Sequence, residues 1–179
     1  MGLDMNLYAK KYISNYQEES KCLNAKLREM FNLEKGEDLD SCEVKFSCAY
    51  WRKSNQIHNW FVENTQKGED NCQESDVSRE QIIELKELCE KVVKILSEQK
   101  RKKVMLKDRF SKEEYEHDIY EDTEEIEELM PTKQGFFFGG YEYDEYYLND
   151  MEHTIEVLNK CLEDFPEKDS WEFSYRASW

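Results

Sequence analysis

The stretch Ser78-Arg79-Glu80-Gln81, followed by Ile82, Leu85, Leu88, Cys89, Val92, Ile95 and Leu96, restricts the fold more than any other. A Ser with Gln three residues on can satisfy two otherwise orphaned backbone N–H groups reciprocally, which marks a helix start. The apolar residues then recur at intervals of three and four, so they share one face. A helix of this kind gains most of its stability by laying that face on a partner. The partner is predicted from alternation near both ends of the chain. Leu3, Met5 and Leu7 alternate with Asp4, Asn6 and Tyr8, and Trp171, Phe173 and Tyr175 alternate with Glu172, Ser174 and Arg176. Period two is the mark of a half-buried strand. A further short strand is expected over Glu43 to Cys48, with Val44 and Phe46 on one side. The expected class is α+β, a small and mainly antiparallel sheet covered by amphipathic helices.

The remaining segments are assigned by the same rules. A helix is expected over about 17–32, with Leu23, Leu27, Met30 and Phe31 as its stripe, and another within 49–64, where Ile57, Trp60, Phe61 and Asn64 share a face. Gly135, Gly139 and Gly140 flank Phe136, Phe137 and Phe138, which predicts a short buried strand between tight turns. Phe136 and Phe138 would point to the core and Phe137 away from it. Asp144 fits a helix N-cap before Glu145 to Asp164, whose stripe is Leu148, Met151, Ile155, Leu158 and Leu162. Lys100 to Arg109 holds six basic residues and one acid, whereas Ser111 to Leu129 holds ten acids and one Lys. Residues 98–129 are therefore expected to form a charged arm, an antiparallel helical hairpin inserted in a single domain spanning 1–179.

Charge narrows the partners. There are 25 Lys and Arg against 41 Asp and Glu, a formal charge of −16. Duplex nucleic acid, which is bound mainly by neutralising phosphates, is an unsuitable partner for such a surface. A local cationic pocket stays compatible with it, and so does an acidic decoy. A mean hydropathy of −0.96 with 37% charged residues would suit a disordered chain, but four Trp, eleven Tyr and nine Phe supply a core. The six cysteines are scattered without a C-x-x-C pair, so free thiols in a reducing compartment are expected. No apolar run approaches the roughly 20 residues that span a bilayer, and the first residues lack a secretory pattern, so no membrane partner is expected.

Two segments concentrate recognition chemistry. In the first, Trp51, Asn55 and His58 would lie on one helical face and Arg52, Gln56 and Asn59 on the next. Amides read bases and ribose, and Arg52 with Lys53 offers a phosphate clamp. In the second, Gly135 to Tyr147, glycines allow close approach while Phe137, Tyr141 and Tyr143 offer stacking faces. No phosphate-binding loop or hydrolase motif accompanies them. No catalytic residue, cofactor or metal site is assigned, since His117 among Asp118, Glu121 and Asp122 offers at most adventitious metal binding.

These same residues carry a resemblance. Met1 to Met5, the Tyr-Trp-Arg-Lys-x-Asn-Gln-Ile-His-x-Trp-Phe segment at 50–61, the Gly-Phe-Phe-Phe-Gly-x-x-Glu-Tyr-Asp-Glu segment at 135–145 and the aromatic close at 171–179 are similar to a group of small phage and prophage proteins without an established function. The resemblance implies a phage origin and the host cytoplasm. It implies no catalytic role. Joined to the polar cluster, it favours an anti-defence protein that sequesters a nucleotide-derived immune signal without chemistry, such as a cyclic ADP-ribose type molecule or a cyclic nucleotide. Such a site can lie between subunits of a homo-oligomer. An acidic DNA mimic or protein-binding inhibitor of a host defence enzyme is the alternative, followed by a small enzyme using His58.

Overall fold

The computed structural model describes residues 2–14, 16, 18–33, 41–107, 111–135 and 137–179. Phe136, assigned above to the core, lies outside them. The chain is α+β. Four strands, β1 (Asp4–Ser14), β2 (Ser41–Arg52), β3 (Glu74–Val77) and β6 (Glu172–Ser178), form one antiparallel sheet in the order β2-β1-β6-β3. The helices are α1 (Glu18–Met30), α2 (Asn55–Thr65), α3 (Arg79–Glu98), a short α4 (Glu124–Leu129) and α5 (Glu145–Asp164).

The core forms where the alternating strands meet the helical stripes. Leu3, Met5, Leu7 and Ala9 in and just before β1 and Phe173, Tyr175 and Ala177 of β6 are buried against Ile57 and Phe61 of α2, the α3 stripe and Met151 and Leu158 of α5. Phe61 stacks on Tyr175 with ring centroids 3.9 Å apart and planes 7° from parallel. The opposite sheet face is polar, as period two requires. There Lys45 sits 4.0 Å over the Tyr8 ring and donates to Glu74 at 2.8 Å, and the Ser174 hydroxyl donates to the same carboxylate at 2.6 Å.

The helix starts follow their sequence signals. Ser78 and Gln81 form the reciprocal cap at the head of α3, and the Asp144 carboxylate accepts from Tyr147 N–H at 2.9 Å at the head of α5.

Other segments depart from expectation. β2 runs on through Arg52, so the segment after Ala49 is not yet helix. Tyr50 and Trp51 are strand formers and pair with Asn6 and Met5. Lys53 then adopts a left-handed φ of 64°, breaks the strand and lets α2 begin at Asn55. Residues 98–129 are not a helical hairpin. Arg101–Lys107 (β4) and Glu114–Tyr120 (β5) form a two-stranded β-hairpin, followed by α4. Val104 and Leu106 share one face opposite His117 and Tyr115, with Lys103, Met105 and Lys107 on the other, a period of two that outweighs the helical reading of the acids. Ser111 accepts from Glu113 N–H in the connection rather than capping a helix. No strand forms at 137–140, and the strand that completes the sheet is β3. Among the described side chains of α1 the buried ones are Ser20 and Asn24, while Leu23, Met30 and Phe31 of the expected stripe are exposed. All six cysteines are free thiols, and no helix among the described residues is long and apolar enough to cross a membrane.

Candidate functional site

The left-handed turn at Lys53 decides the site. It follows directly on the β1–β2 ladder, where Lys53 N–H donates to Leu3 O at 2.8 Å. The 137–140 loop lies on this turn. Gly139, at φ 106°, approaches so closely that a Cβ there would stand 2.7 Å from the Lys53 carbonyl oxygen. Glycine is needed here for both the backbone angle and the approach. Asn55, first residue of α2, staples the loop from the other side. Its amide donates to Gly140 O at 2.7 Å, and its side-chain oxygen accepts from Lys133 N–H at 2.8 Å. Tyr141 closes the loop on itself by donating to Gly135 O at 3.0 Å.

Between this loop, the start of α2 and the first turns of α5 lies an open cavity of about 710 Å³. Its size suits a small organic ligand. The two segments singled out in the sequence line it together, through Arg52, Lys53, Asn55 and Gln56 on one side and Phe137 and Tyr141 on the other. The third wall is the tip of the β-hairpin, which contributes Lys107 and Tyr115. The hairpin is seated there by His117, whose Nε2 lies 2.7 Å from Asp144 Oδ2, and by Tyr120 N–H, which donates to Tyr143 O at 2.9 Å. α5 supplies Tyr146, Asn149 and Asp150.

Four of the ten expected ligand contacts do not line the cavity. Trp51 is on β2 rather than a helix and points into the core, where its indole N–H donates to Thr154 Oγ1 at 2.9 Å. His58 is fully buried, with Nδ1 2.8 Å from the Tyr175 hydroxyl and Nε2 3.1 Å from Asp70 Oδ2. Burial holds its pKa below the ordinary histidine value, against the opposing pull of Asp70. Asn59 is half-buried outside the cavity. Tyr143 faces Tyr147, with centroids 4.8 Å apart, and its hydroxyl accepts from Thr132 N–H.

The two expected amides that do line the cavity, Asn55 and Gln56, are engaged within the protein. Asn55 holds the loop, and the Gln56 amide donates to Asp150 Oδ2 at 2.8 Å. Burial raises the Asp150 pKa from its ordinary value, and the hydrogen bonds from Gln56 and Ser54 work against that rise. Arg52, Lys53 and Lys107 are exposed cations on a lining that also holds Glu142, Asp144 and Asp150. Arg52 makes a long contact of 3.8 Å with Asp4. The wall is thus of mixed sign, with cations to hold phosphate and carboxylates to accept from hydroxyl or amino groups. Among the described residues no group of three His, Cys, Asp or Glu side chains is placed to hold a metal ion.

The sequence reading missed Lys107, Tyr115, Tyr146, Asn149 and Asp150. The latter three sit at the head of the correctly placed α5, on the turns that a capped helix turns toward its N-terminal loop. Lys107 and Tyr115 depend on where the hairpin docks, which no local pattern encodes. Compared with known protein families, curated proteins and solved structures, the chain matches none.

Proposed function

We propose that this protein binds and sequesters a nucleotide-derived small molecule, without chemical conversion, and that in a phage setting the ligand is a host immune signal of the cyclic nucleotide or cyclic ADP-ribose type. The observation that carries the reading is the joint lining of one cavity by the 52–56 and 137–142 segments. Its volume of about 710 Å³ accommodates a nucleotide. Exposed Arg52, Lys53 and Lys107 supply phosphate contacts, and Phe137, Tyr115 and Tyr146 supply aromatic surface for a base. Asp150 and Glu142 accept from ribose hydroxyls or exocyclic amines. His58, the residue on which an enzymatic reading rests, is packed in the core and does not line this cavity.

The acidic-decoy alternative draws less support. Glu114 and Asp118 of β5 stand directly opposite Lys107 and Lys103 of β4, and Glu116 accepts from Lys103 at 2.8 Å. A ladder that faces its own cations is a poor imitation of bare phosphates.

The test is isothermal calorimetry of the full chain with cyclic mononucleotides, cyclic dinucleotides and a cyclic ADP-ribose type compound. Heat-denatured complex is then analysed by mass spectrometry. Stoichiometric binding with intact ligand released, lost in an R52E/K107E variant, supports sequestration. Absence of binding across the panel overturns it, and a converted product replaces it with an enzyme.

A further inference from the structure

The cavity leaves unused a pair of thiols in the layer between sheet and helices. β1 and β2 change register between Leu7 and Tyr8, with Leu7 opposite Ala49 and Tyr8 opposite Ser47. Cys48 is therefore the additional residue of a β-bulge, which re-aims its side chain out of the regular alternation. Ser47 bonds to Asn6 on the polar face, while Cys48 meets Cys161 of α5. The two Sγ atoms are 3.2 Å apart, and Cys48 Sγ also lies 3.3 Å from Leu7 O. Both thiols are accommodated in one chain of weak hydrogen bonds, with Cys161 donating to Cys48 and Cys48 to the carbonyl. A disulfide needs about 2.05 Å between sulfurs, so the pair has to close by about 1.2 Å.

We propose that Cys48 and Cys161 are a modification site at which a peroxide forms an intramolecular disulfide between β2 and α5. Cys48, the half-buried partner, attacks one peroxide oxygen as its thiolate. The O–O bond breaks, water leaves, and Cys48 becomes a sulfenic acid. The Cys161 sulfur attacks the Cys48 sulfur, the S–O bond breaks, and a second water leaves. In sum, two thiols and one hydrogen peroxide give one disulfide and two waters. The thiols lose two electrons and two protons, and the peroxide accepts them. The hydrogen bond with Cys161, together with burial, pushes the Cys48 thiol well above the ordinary cysteine range, so the first step is slow at neutral pH. The same burial shields the finished bond from reductants. Among the described residues Cys89 has no such partner: it is buried on the inner face of α3, with its thiol pushed up to about 12.

The experiment uses the full chain with C22S, C42S and C72S, which removes the other accessible thiols. It is exposed to excess hydrogen peroxide, alkylated in denaturant and mapped as peptides without reduction. The expected result is a single cross-linked peptide pair joining Cys48 to Cys161, reversed by dithiothreitol, with Tm raised by about 5 °C or more because the cross-link closes a long loop. With C161A added, Cys48 should instead accumulate as a dimedone-reactive sulfenic acid. Full alkylation of both thiols after treatment, overoxidation without a cross-link, or a bridge to Cys89 overturns the proposal. Should the serine substitutions impair folding, the same map on the unaltered chain decides between these outcomes.

Discussion

Asn55 offers the sharpest test of how the cavity is built. Its amide donates to Gly140 O and its side-chain oxygen accepts from Lys133 N–H, so one side chain holds both ends of the loop that forms a cavity wall. Replacing it with Ala removes two hydrogen bonds at a site where Asn55 itself is 1% exposed. Each bond contributes about 1 kcal/mol net, and leaving a buried partner without an acceptor or donor costs about 1–3 kcal/mol. Water can reach the half-open loop and recover part of this. The expected loss is therefore about 2–3 kcal/mol, or a fall in Tm of roughly 4–12 °C for a chain of this size. The assay is urea unfolding followed by far-UV circular dichroism and Trp fluorescence. N55D separates the two roles: it keeps an acceptor for Lys133 N–H but sets a carboxylate against the Gly140 carbonyl. It should be at least as destabilised as N55A. A loss below about 0.5 kcal/mol for N55A, with the slope of the denaturant curve unchanged, would refute the staple and with it the account of how the loop is held.

Other consequences are as direct. Arg52 and Lys107 are exposed, so R52E/K107E should change stability by no more than about 1 kcal/mol while weakening nucleotide binding at least about tenfold, as calorimetry would read. Leu85 is fully buried in the α3 stripe, and L85A should cost about 2–5 kcal/mol in urea unfolding. The buried His58 has a folded pKa below its unfolded value, so the unfolded chain takes up the proton first as pH falls. Stability from this group is complete above the unfolded pKa of about 6.5 and is lost as pH drops toward the folded value. Urea midpoints measured between pH 8 and 5 should therefore decline through this window, and H58Q should flatten the decline. Glu74 has the same sign at lower pH. Its folded pKa of about 2, reached through Lys45, Ser174 and Lys10, predicts a further loss as pH falls below about 4.5, reduced in E74Q.

Local signals carried most of the architecture. The Ser78–Gln81 cap and Asp144 placed α3 and α5 correctly, because capping chemistry is encoded within four residues. The alternation at Leu3 to Leu7 and at Trp171 to Tyr175 placed the central strands. Signals of low contrast failed where tertiary pairing overruled them. The acids of 113–128 read as a helix, yet β4 pairs β5 through Val104, Leu106 and Ile119. Trp51 fits a helical face by spacing, because nothing local announces that β2 continues to Arg52 and that Lys53 turns left-handed. The site was legible as two segments, and Arg52, Lys53, Asn55, Gln56, Phe137 and Tyr141 do meet at one cavity. What the sequence could not express is satisfaction. Asn55 and Gln56 look free to read a ligand until their internal partners, Lys133, Gly140 and Asp150, are seen.

The pairing of β1 with β6 has a consequence for biosynthesis. β1 leaves the ribosome well before β6, yet one of its two edges is completed only by residues 172–178. At about 5–20 residues per second, β6 follows β2 by roughly 6–24 s. During that interval the nascent chain carries an unzipped edge at what will become the middle of the sheet, and β3 has nothing to dock on. Stalled chains that end before residue 170 should accordingly be cut by protease in β1 and recruit chaperones, and extension through β6 should abolish both.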